Sequence, residues 1–143
     1  MLKGIPGILS PGLLKIMMEM GHGDEIVLAD ANFPAASTAR RLIRCDGHSI
    51  PDLLEAILKL LPLDTYVEAP AAVMKVVPGD PADTPIWQRY QEIIGLHMDE
   101  VPPLESIERF AFYERAKGAY AVVATGEHAP YANLILKKGV IRL

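Results

Sequence analysis

The sequence predicts a single α/β domain in which helices cover both faces of a mixed, largely buried sheet. Segments with apolar residues at helical spacing alternate along the chain with short apolar segments that are typical of buried strands. The chain has 143 residues, 50% of them hydrophobic, which is enough for one ordinary core. The sequence contains neither an internal repeat nor a low-complexity stretch. We therefore expect residues 1–143 to form one domain.

Five elements are predicted in the first half of the chain, and residues with clear conformational preferences mark their ends. Ser10-Pro11 supplies an N-cap and a proline at the first helical position, and Gly21 ends that helix. Ser49 and Pro62 bound the second helix in a similar way. The predicted order is helix 11–20, strand 26–30, a loop or short helix 31–39, strand 41–45 and helix 50–61.

The second half predicts two helices and four strands. Thr84-Pro85 begins the third helix and Gly95 ends it, while Gly118 ends the fourth. The most strongly apolar strand follows directly after Gly118. The predicted order is strand 71–77, helix 85–94, helix 105–117, strand 119–125, strand 134–137 and strand 140–142.

Composition excludes several classes of function. The net charge is -4 and charges of both signs are interspersed, so neither nucleic acid nor an anionic membrane is the expected partner. Cys45 is the only cysteine, which rules out an internal disulfide and indicates a reducing compartment. Charges interrupt every long apolar run, and we find no signal peptide. We expect a cytoplasmic protein.

A histidine and several carboxylates surround the turn between the first helix and the first strand. His22 lies between two glycines and is followed by Asp24 and Glu25. Histidine exchanges protons near neutral pH, so His22 is a candidate general acid or base. Alternatively, it is an ordinary surface histidine or a C-cap that interacts with the helix dipole. Asp30 ends a buried strand, where ligands of α/β proteins collect and where an unpaired carboxylate is costly.

A second cluster lies on the fourth helix. Arg109, Phe112 and Tyr113 are spaced i, i+3 and i+4, which places a guanidinium and two aromatic rings on one helical face. That combination suits a polyhydroxylated ring, whose C–H faces contact aromatics and whose hydroxyls contact the guanidinium. Alternatively, the aromatics are core residues, and Arg109 pairs with Glu105 or Glu108 at the surface.

A third cluster precedes the strand at 134–137. Tyr131 and Asn133 are two residues apart, so in extended geometry they point the same way and offer a hydroxyl and a carboxamide to one ligand. Alternatively, Asn133 starts the strand and Tyr131 is a packing residue. Phosphate loops, nucleophile elbows and zinc motifs are all missing from the sequence. His22 with Asp24 and Asp30, or His97 with Asp99, would make at most a weak metal site, so neither a metal nor a cofactor is indicated.

Several segments resemble the family that contains L-fucose mutarotase and D-ribose pyranase, and together they cover nearly the whole chain. The region that departs most from the family is 78–103, and the match around Phe110 to Tyr113 favours the fucose branch. The matching segments are Met1-Leu2-Lys3-Gly4-Ile5, Leu9-Ser10-Pro11, 19–26, 30–35, 109–116 and 131–140. The resemblance implies a cofactor-free enzyme that interconverts the α and β anomers of a reducing monosaccharide.

The resemblance also implies roles for individual residues. His22 is the expected proton donor, and Tyr113 matches a position with a catalytic role in animal members, as Asp64 does less clearly. The expected sugar-binding residues are Asp30, Arg109, Tyr131, Ala132 and Asn133. The implied fold is a three-layer α/β/α sandwich that assembles into rings or smaller homo-oligomers, with the sugar near a subunit interface. A non-enzymatic monosaccharide-binding module, a ribose pyranase and a metal-dependent isomerase or hydrolase are the alternatives.

Overall fold

A computed structural model describes all residues of the chain, 1–143. Six strands form one sheet, and five helices pack against it. The strands are β1 (Glu25–Ala29), β2 (Leu42–Cys45), β3 (Ala71–Met74), β4 (Glu105–Ile107), β5 (Ala121–Thr125) and β6 (Leu134–Lys137). The helices are α1 (Pro11–Glu19), α2 (Ala35–Thr38), α3 (Ile50–Leu58), α4 (Pro85–Gly95) and α5 (Arg109–Gly118). No helix has the length and the apolar character that a membrane crossing requires.

The sheet is mixed, with the strand order β2-β5-β1-β6-β3-β4. Strand β1 pairs in parallel with β5, and Val27 lies opposite Val122. On its other side, β1 pairs antiparallel with β6, where Val27 lies opposite Ile135. Strand β6 is antiparallel to both of its neighbours, while the other five strands share one direction.

Helices cover both faces of this sheet, which confirms the predicted three-layer α/β/α sandwich. Alternate residues of β1 face opposite sides: Ile26 and Leu28 belong to one core, and Val27 and Ala29 to the other. The first core includes buried residues of α1, α3 and α4, and the second includes buried residues of α2 and α5. Because both faces are covered, β1 and β5 are apolar along almost their whole lengths.

The helix predicted at 105–117 is wrong in its first part. Residues Glu105–Ile107 form edge strand β4, which pairs in parallel with β3, and α5 begins only at Arg109. The N-cap is Glu108, whose carboxylate accepts hydrogen bonds from the amides of Phe110 and Ala111 at 2.9 and 3.1 Å. Glutamate is not among the preferred N-cap residues, so no local sequence signal marks this boundary.

Two smaller predictions also differ from the structure. Residues 140–142 form no strand, because strand pairing after β6 is limited to one β-bridge between Leu63 and Lys138. Strand β3 ends at Met74, and the amide of Val77 donates to the Tyr131 hydroxyl rather than to a neighbouring strand. In the turn after α1, Gly21 follows the C-cap residue Met20 as predicted, and Gly23 has a left-handed backbone with φ of 85°.

The strand directions give the sheet two functionally distinct edges. The five strands β1 to β5 share one direction and end at the same side of the sheet, which we call the carboxyl edge. Asp30, Thr125 and the residues just before antiparallel β6 lie there. The opposite edge, where β1 begins and β6 ends, is the amino edge, and His22 and Lys138 lie there.

Candidate active site

Two predicted sugar-binding residues meet at the carboxyl edge. Asp30 follows β1 and Asn133 precedes β6, and these strands are neighbours. The Asp30 amide donates to the Asn133 side-chain oxygen at 2.8 Å, and Asn133 is buried. Asn133 therefore does more than start a strand, because its carboxamide ties the ends of β1 and β6 together.

The Asp30 carboxyl lies in an environment that disfavours its charge. Burial raises its pKa above the ordinary value, and the nearby Glu127 charge adds to this effect. Hydrogen bonds oppose the rise only in part, including the Asn32 amide that donates to Asp30 Oδ1 at 3.0 Å. The carboxylate is half-buried, so one of its sides remains open to a ligand.

Replacing Asp30 with asparagine is expected to raise thermal stability at neutral pH while weakening sugar binding. The pKa of Asp30 is higher in the folded state than in the unfolded chain, where a carboxyl has a pKa of about 3.9. The free energy of unfolding therefore falls as the pH rises from that value through the folded-state pKa. Asparagine cannot ionise, so it removes this loss of stability. Binding should weaken about 10- to 150-fold, the equivalent of a charged hydrogen bond of about 1.5 to 3 kcal/mol. Calorimetric melts and sugar titrations measure both, with exposed Asp83→Asn as control. A melting temperature below that of the wild type would contradict this account of Asp30.

The segment from Tyr131 to Asn133 is not extended, so the geometry predicted for it is wrong. Tyr131 has a left-handed backbone with φ of 53°, which is uncommon for a residue with a side chain. Two aromatic residues of α4 hold the segment by its carbonyls: Trp87 Nε1 donates to Tyr131 at 2.8 Å, and the Tyr90 hydroxyl donates to Ala132 at 2.6 Å. These bonds hold the backbone in a conformation that it would rarely adopt alone.

Sequence reasoning missed the buried carboxylate of Glu127, which supports the same edge. Its Oε1 accepts from the amide of Ile50 at 3.2 Å, and its Oε2 accepts from the amides of His128 and Ala129 at 3.1 Å each. Its carbonyl accepts from the Ala31 amide at 2.7 Å. Glu127 thereby links the start of α3, the loop before Tyr131 and the residue after Asp30. An acidic residue two positions after a buried strand was the available signal.

Arg109 and Tyr113 also lie at the carboxyl edge. The Arg109 guanidinium lies 5.7 Å from the centre of the Tyr113 ring, and the Tyr113 ring lies 5.6 Å from that of Phe33, which follows Asp30. Arg109 forms no ion pair, so the predicted pairing with Glu105 or Glu108 is wrong. Phe112, in contrast, is a core residue, as the alternative interpretation held.

A cleft of about 470 Å³ opens beside Asp30. It lies between α2 and the ends of β2 and β5, and its volume falls within the range of small-molecule sites. The polar groups on its lining belong to Asp30, Ser37, Arg44, Asp46 and Thr125.

The predicted proton donor lies at the amino edge, where it forms a pair with Asp64. His22 Nε2 lies 3.0 Å from Asp64 Oδ1, and the side chains are 44% and 4% exposed. Burial acts to raise the Asp64 pKa, but hydrogen bonds from the Tyr66 amide and from His22 outweigh it and leave the pKa below the ordinary value. Asp64 is therefore ionised at neutral pH and accepts from Nε2–H, which leaves Nδ1 as the ring nitrogen that can exchange protons.

The turn that carries His22 is anchored independently of the imidazole. The amide of Gly23 donates to the Lys138 carbonyl at 2.8 Å, and Lys138 Nζ donates to the carbonyls of Met17 and Met20 at 2.7 and 2.6 Å. Lys138 thus supplies the cation at the end of α1. His22 is not the helix cap that the alternative interpretation proposed, and its ring is directed to Asp64.

One copy of the chain does not bring His22 together with the other predicted site residues. His22 precedes β1 and Asp30 follows it, so the whole of β1 separates them. At about 3.3 Å per residue, this strand of 5 residues alone spans on the order of 16 Å. Asp30, Arg109, Tyr113, Tyr131, Ala132 and Asn133 lie at the carboxyl edge, while His22 and Asp64 lie at the amino edge.

The fold and its two edges define a class of protein: a three-layer α/β/α sandwich with a histidine–aspartate pair at one edge and hydrogen-bonding and aromatic groups at the other. The sequence profile described as the RbsD / FucU transport protein family matches residues 3–141. The chain belongs to this family.

The similarity to known proteins extends over almost the full length of the chain. Fucose mutarotase of Homo sapiens is 60% identical over 148 residues, covering 99% of this chain and 96% of the relative. L-fucose mutarotase of Actinobacillus pleuropneumoniae serotype 5b (strain L20) is 55% identical over 140 residues, covering 98% and 97%. The crystal structure of the fucose mutarotase from Streptococcus pneumoniae in complex with L-fucose has 57% sequence identity and a TM-score of 0.93, covering 99% of this chain and 100% of that one.

Proposed function

We propose that this protein is an isomerase that interconverts the α and β anomers of L-fucose, with residues 1–143 as its single catalytic domain. The observation that carries the proposal is the His22–Asp64 pair, an acid–base pair with one free ring nitrogen, in a chain that is similar over its full length to fucose mutarotases. The reaction breaks and re-forms only the bond between the anomeric carbon and the ring oxygen. It therefore needs a proton donor and a proton acceptor.

His22 is the donor in this mechanism. Protonated His22 gives the proton on Nδ1 to the ring oxygen as the ring opens, and the ionised Asp64 holds the imidazole in place by accepting from Nε2–H. The anomeric hydroxyl loses its proton at the same time, and its oxygen becomes the aldehyde oxygen. Rotation about the adjacent carbon–carbon bond and the reverse proton transfers give the other anomer, and His22 recovers its proton.

Tyr113 is the second catalytic residue that we propose, for transfer of the anomeric hydroxyl proton. Its hydroxyl forms no hydrogen bond within the chain, so a substrate can occupy both its donor and its acceptor positions. As the sugar ring opens, the Tyr113 oxygen accepts the anomeric hydroxyl proton while the phenol passes its own proton to a solvent water, so Tyr113 is neutral before and after the step. The Arg109 guanidinium lies beside it, 5.7 Å from the centre of the ring.

The remaining carboxyl-edge residues bind the sugar. The Asp30 carboxylate can accept hydrogen bonds from sugar hydroxyls. The Arg109 guanidinium forms no ion pair and can donate to them. Tyr131 and Asn133 supply a phenol and a carboxamide, and buried Ala132 keeps the backbone between them in place. Together these groups hold the sugar close to the reacting geometry.

We further propose that the protein works as a homo-oligomer, with each sugar bound between the amino edge of one copy and the carboxyl edge of another. The distance along β1 supports this, because a monosaccharide cannot contact both edges of one copy. Exposed aromatic side chains lie beside both halves: Phe110, next to Arg109, is 68% exposed, and Tyr66, beside His22, is 60% exposed. A contact between two different edges is heterologous, and it closes into a ring when the rotation between copies allows it.

A cytoplasmic location fits the same proposal. Cys45 is the only cysteine and is buried, as expected for a protein of a reducing compartment. Monosaccharide is the only partner besides further copies of the chain that the mechanism requires.

Saturation-transfer NMR tests the activity directly. Irradiating the α anomeric proton of L-fucose is expected to reduce the β signal when catalytic amounts of the protein are present, while the equilibrium ratio of the anomers stays unchanged. Chelator should leave the exchange intact. D-Ribose and D-galactose serve as comparison sugars, and faster exchange of ribose than of fucose would instead indicate a pyranase. Exchange at the buffer rate for all three sugars, with binding retained, would indicate a sugar-binding module and overturn the proposal.

A further inference from the structure

Two elements outside the predicted site hold Tyr131 at both ends. Trp87 on α4 donates to the Tyr131 carbonyl at 2.8 Å, and the backbone of Tyr131 is left-handed. At the other end, the Tyr131 hydroxyl donates to Asp80 Oδ2 at 2.5 Å and accepts from the Val77 amide at 3.2 Å. Both groups come from the segment after β3, which includes the start of the region that departs most from the family.

The direction of these bonds determines what the phenol can offer to a ligand. A tyrosine hydroxyl has one proton to donate and two lone pairs that accept. In this structure its proton is committed to Asp80, and one lone pair is committed to Val77. The remaining lone pair can only accept a hydrogen bond.

The Asp80 carboxylate is itself fixed. Its Oδ1 accepts from the amide of Ala82 at 2.9 Å, which leaves Oδ2 for Tyr131. The hydrogen bond from Tyr131 and the one from Ala82 lower the Asp80 pKa, so this carboxyl stays ionised and cannot donate a proton to the phenol. Gly79 has a left-handed backbone with φ of 87°, which makes the turn that brings Asp80 to this position.

We propose that Asp80 is a positioning residue that fixes the Tyr131 hydroxyl as an acceptor for one hydroxyl group of the sugar. The inference rests on the proposed function, because it assumes that Tyr131 contacts the substrate. Asp80 acts only through Tyr131 and makes no contact with the sugar. The pair thereby selects a substrate that presents a hydroxyl donor at that position, and it discriminates against one that presents only an acceptor.

Replacing Asp80 with asparagine reverses the polarity of this contact. The introduced amide can keep its oxygen on the Ala82 amide, and its NH₂ group then faces the phenol. The phenol must accept from that group, and its proton turns towards the sugar. We expect KM for L-fucose to rise about 10-fold with kcat changed less than 3-fold, because the contact binds the sugar without taking part in proton transfer. Asp83→Asn, the same change on the same loop, should stay within 2-fold.

A double-mutant cycle and substrate analogues distinguish this role from a structural one. Tyr131→Phe alone should raise KM about 10-fold, and Asp80→Asn should add less than 2-fold in that background. A set of fucoses with single hydroxyls replaced by fluorine, which cannot donate, should contain one that binds the wild type about 10-fold more weakly than fucose. Tyr131→Phe should bind that analogue and fucose equally. Thermal melts compare the folded stability of the variants.

Each outcome bears on a different statement. If the wild-type protein does not speed anomer exchange above the buffer rate, the proposed function is wrong. If Tyr131→Phe leaves KM unchanged, Tyr131 does not belong to the binding site. If Tyr131→Phe raises KM and Asp80→Asn does not, the inference about Asp80 alone is wrong. It is also wrong if Asp80→Asn raises KM equally in both backgrounds.

Discussion

Replacing His22 with alanine is expected to slow anomer exchange by about 10²- to 10⁴-fold, the usual contribution of a general acid. Sugar affinity should change little, because the proton moves to the ring oxygen only in the transition state. The effect should therefore appear in kcat, measured by saturation transfer at saturating L-fucose. Asp64 remains in place in this variant, with the Tyr66 amide still donating to its carboxylate, so the local backbone keeps one of its supports.

His48→Ala is the matched control, because His48 is an exposed histidine in a loop between β2 and α3 and forms no side-chain hydrogen bond. It should exchange anomers at the wild-type rate. Exchange at that same rate in His22→Ala would remove His22 from the mechanism and make Tyr113 the leading candidate for the donor. A large loss of sugar affinity without loss of kcat would assign His22 to binding alone.

The order of layers could be predicted from the sequence because local patterns determine it. Residues 26–29 and 121–124 are uninterrupted apolar segments, and helices with clear caps at Ser10 and Ser49 separate the strands. Strand β4 could not be predicted, since Glu105–Ile107 is held by pairing with β3, more than 30 residues away, and has no apolar pattern of its own. Residues 140–142 show the opposite case. Val140 and Ile141 are β-branched and predict a strand, but no partner strand lies beside them.

The carboxyl-edge residues were accessible to sequence reasoning because each one adjoins an element end. Asp30 follows β1, Asn133 precedes β6, and Arg109 begins α5. The roles of Asp64 and Asp80 depend instead on contacts over 42 and 51 residues, which no local pattern specifies. Glu127 is intermediate, because its position after β5 is a local signal but its bond to Ile50 is not.

The separation of His22 from Asp30 was present in the sequence, although it is easy to overlook. Both residues flank the same predicted strand, and residues on either side of one strand must lie at opposite edges of its sheet. The resemblance to a known family grouped them in one site, and a single chain cannot satisfy that grouping. The two statements agree in the assembly proposed above, in which each site is shared between two copies.

Mixing two inactive variants is expected to restore about a quarter of the wild-type activity. One variant carries His22→Ala and the other carries Asp30→Ala with Arg109→Ala, so each retains one intact half. If every site takes its amino edge from one copy and its carboxyl edge from another, random assembly at equal amounts gives intact halves to about one site in four. Co-expression at equal amounts, purification through one tag that both variants carry and saturation transfer with L-fucose measure the recovery. Each variant alone should show less than about 1% of the wild-type rate.

A reciprocal mixture separates a shared site from one that lies within a single copy. Wild-type chains are co-assembled with chains that carry all three substitutions, again at equal amounts. A shared site leaves about a quarter of the wild-type activity, because an intact site needs two wild-type neighbours, whereas a site within one copy leaves about half. In the first mixture a site within one copy would give no recovery above the two variants alone. Half activity in this mixture, together with no recovery in the first, would mean that the edges reach each other within one chain, and the proposed assembly would be wrong.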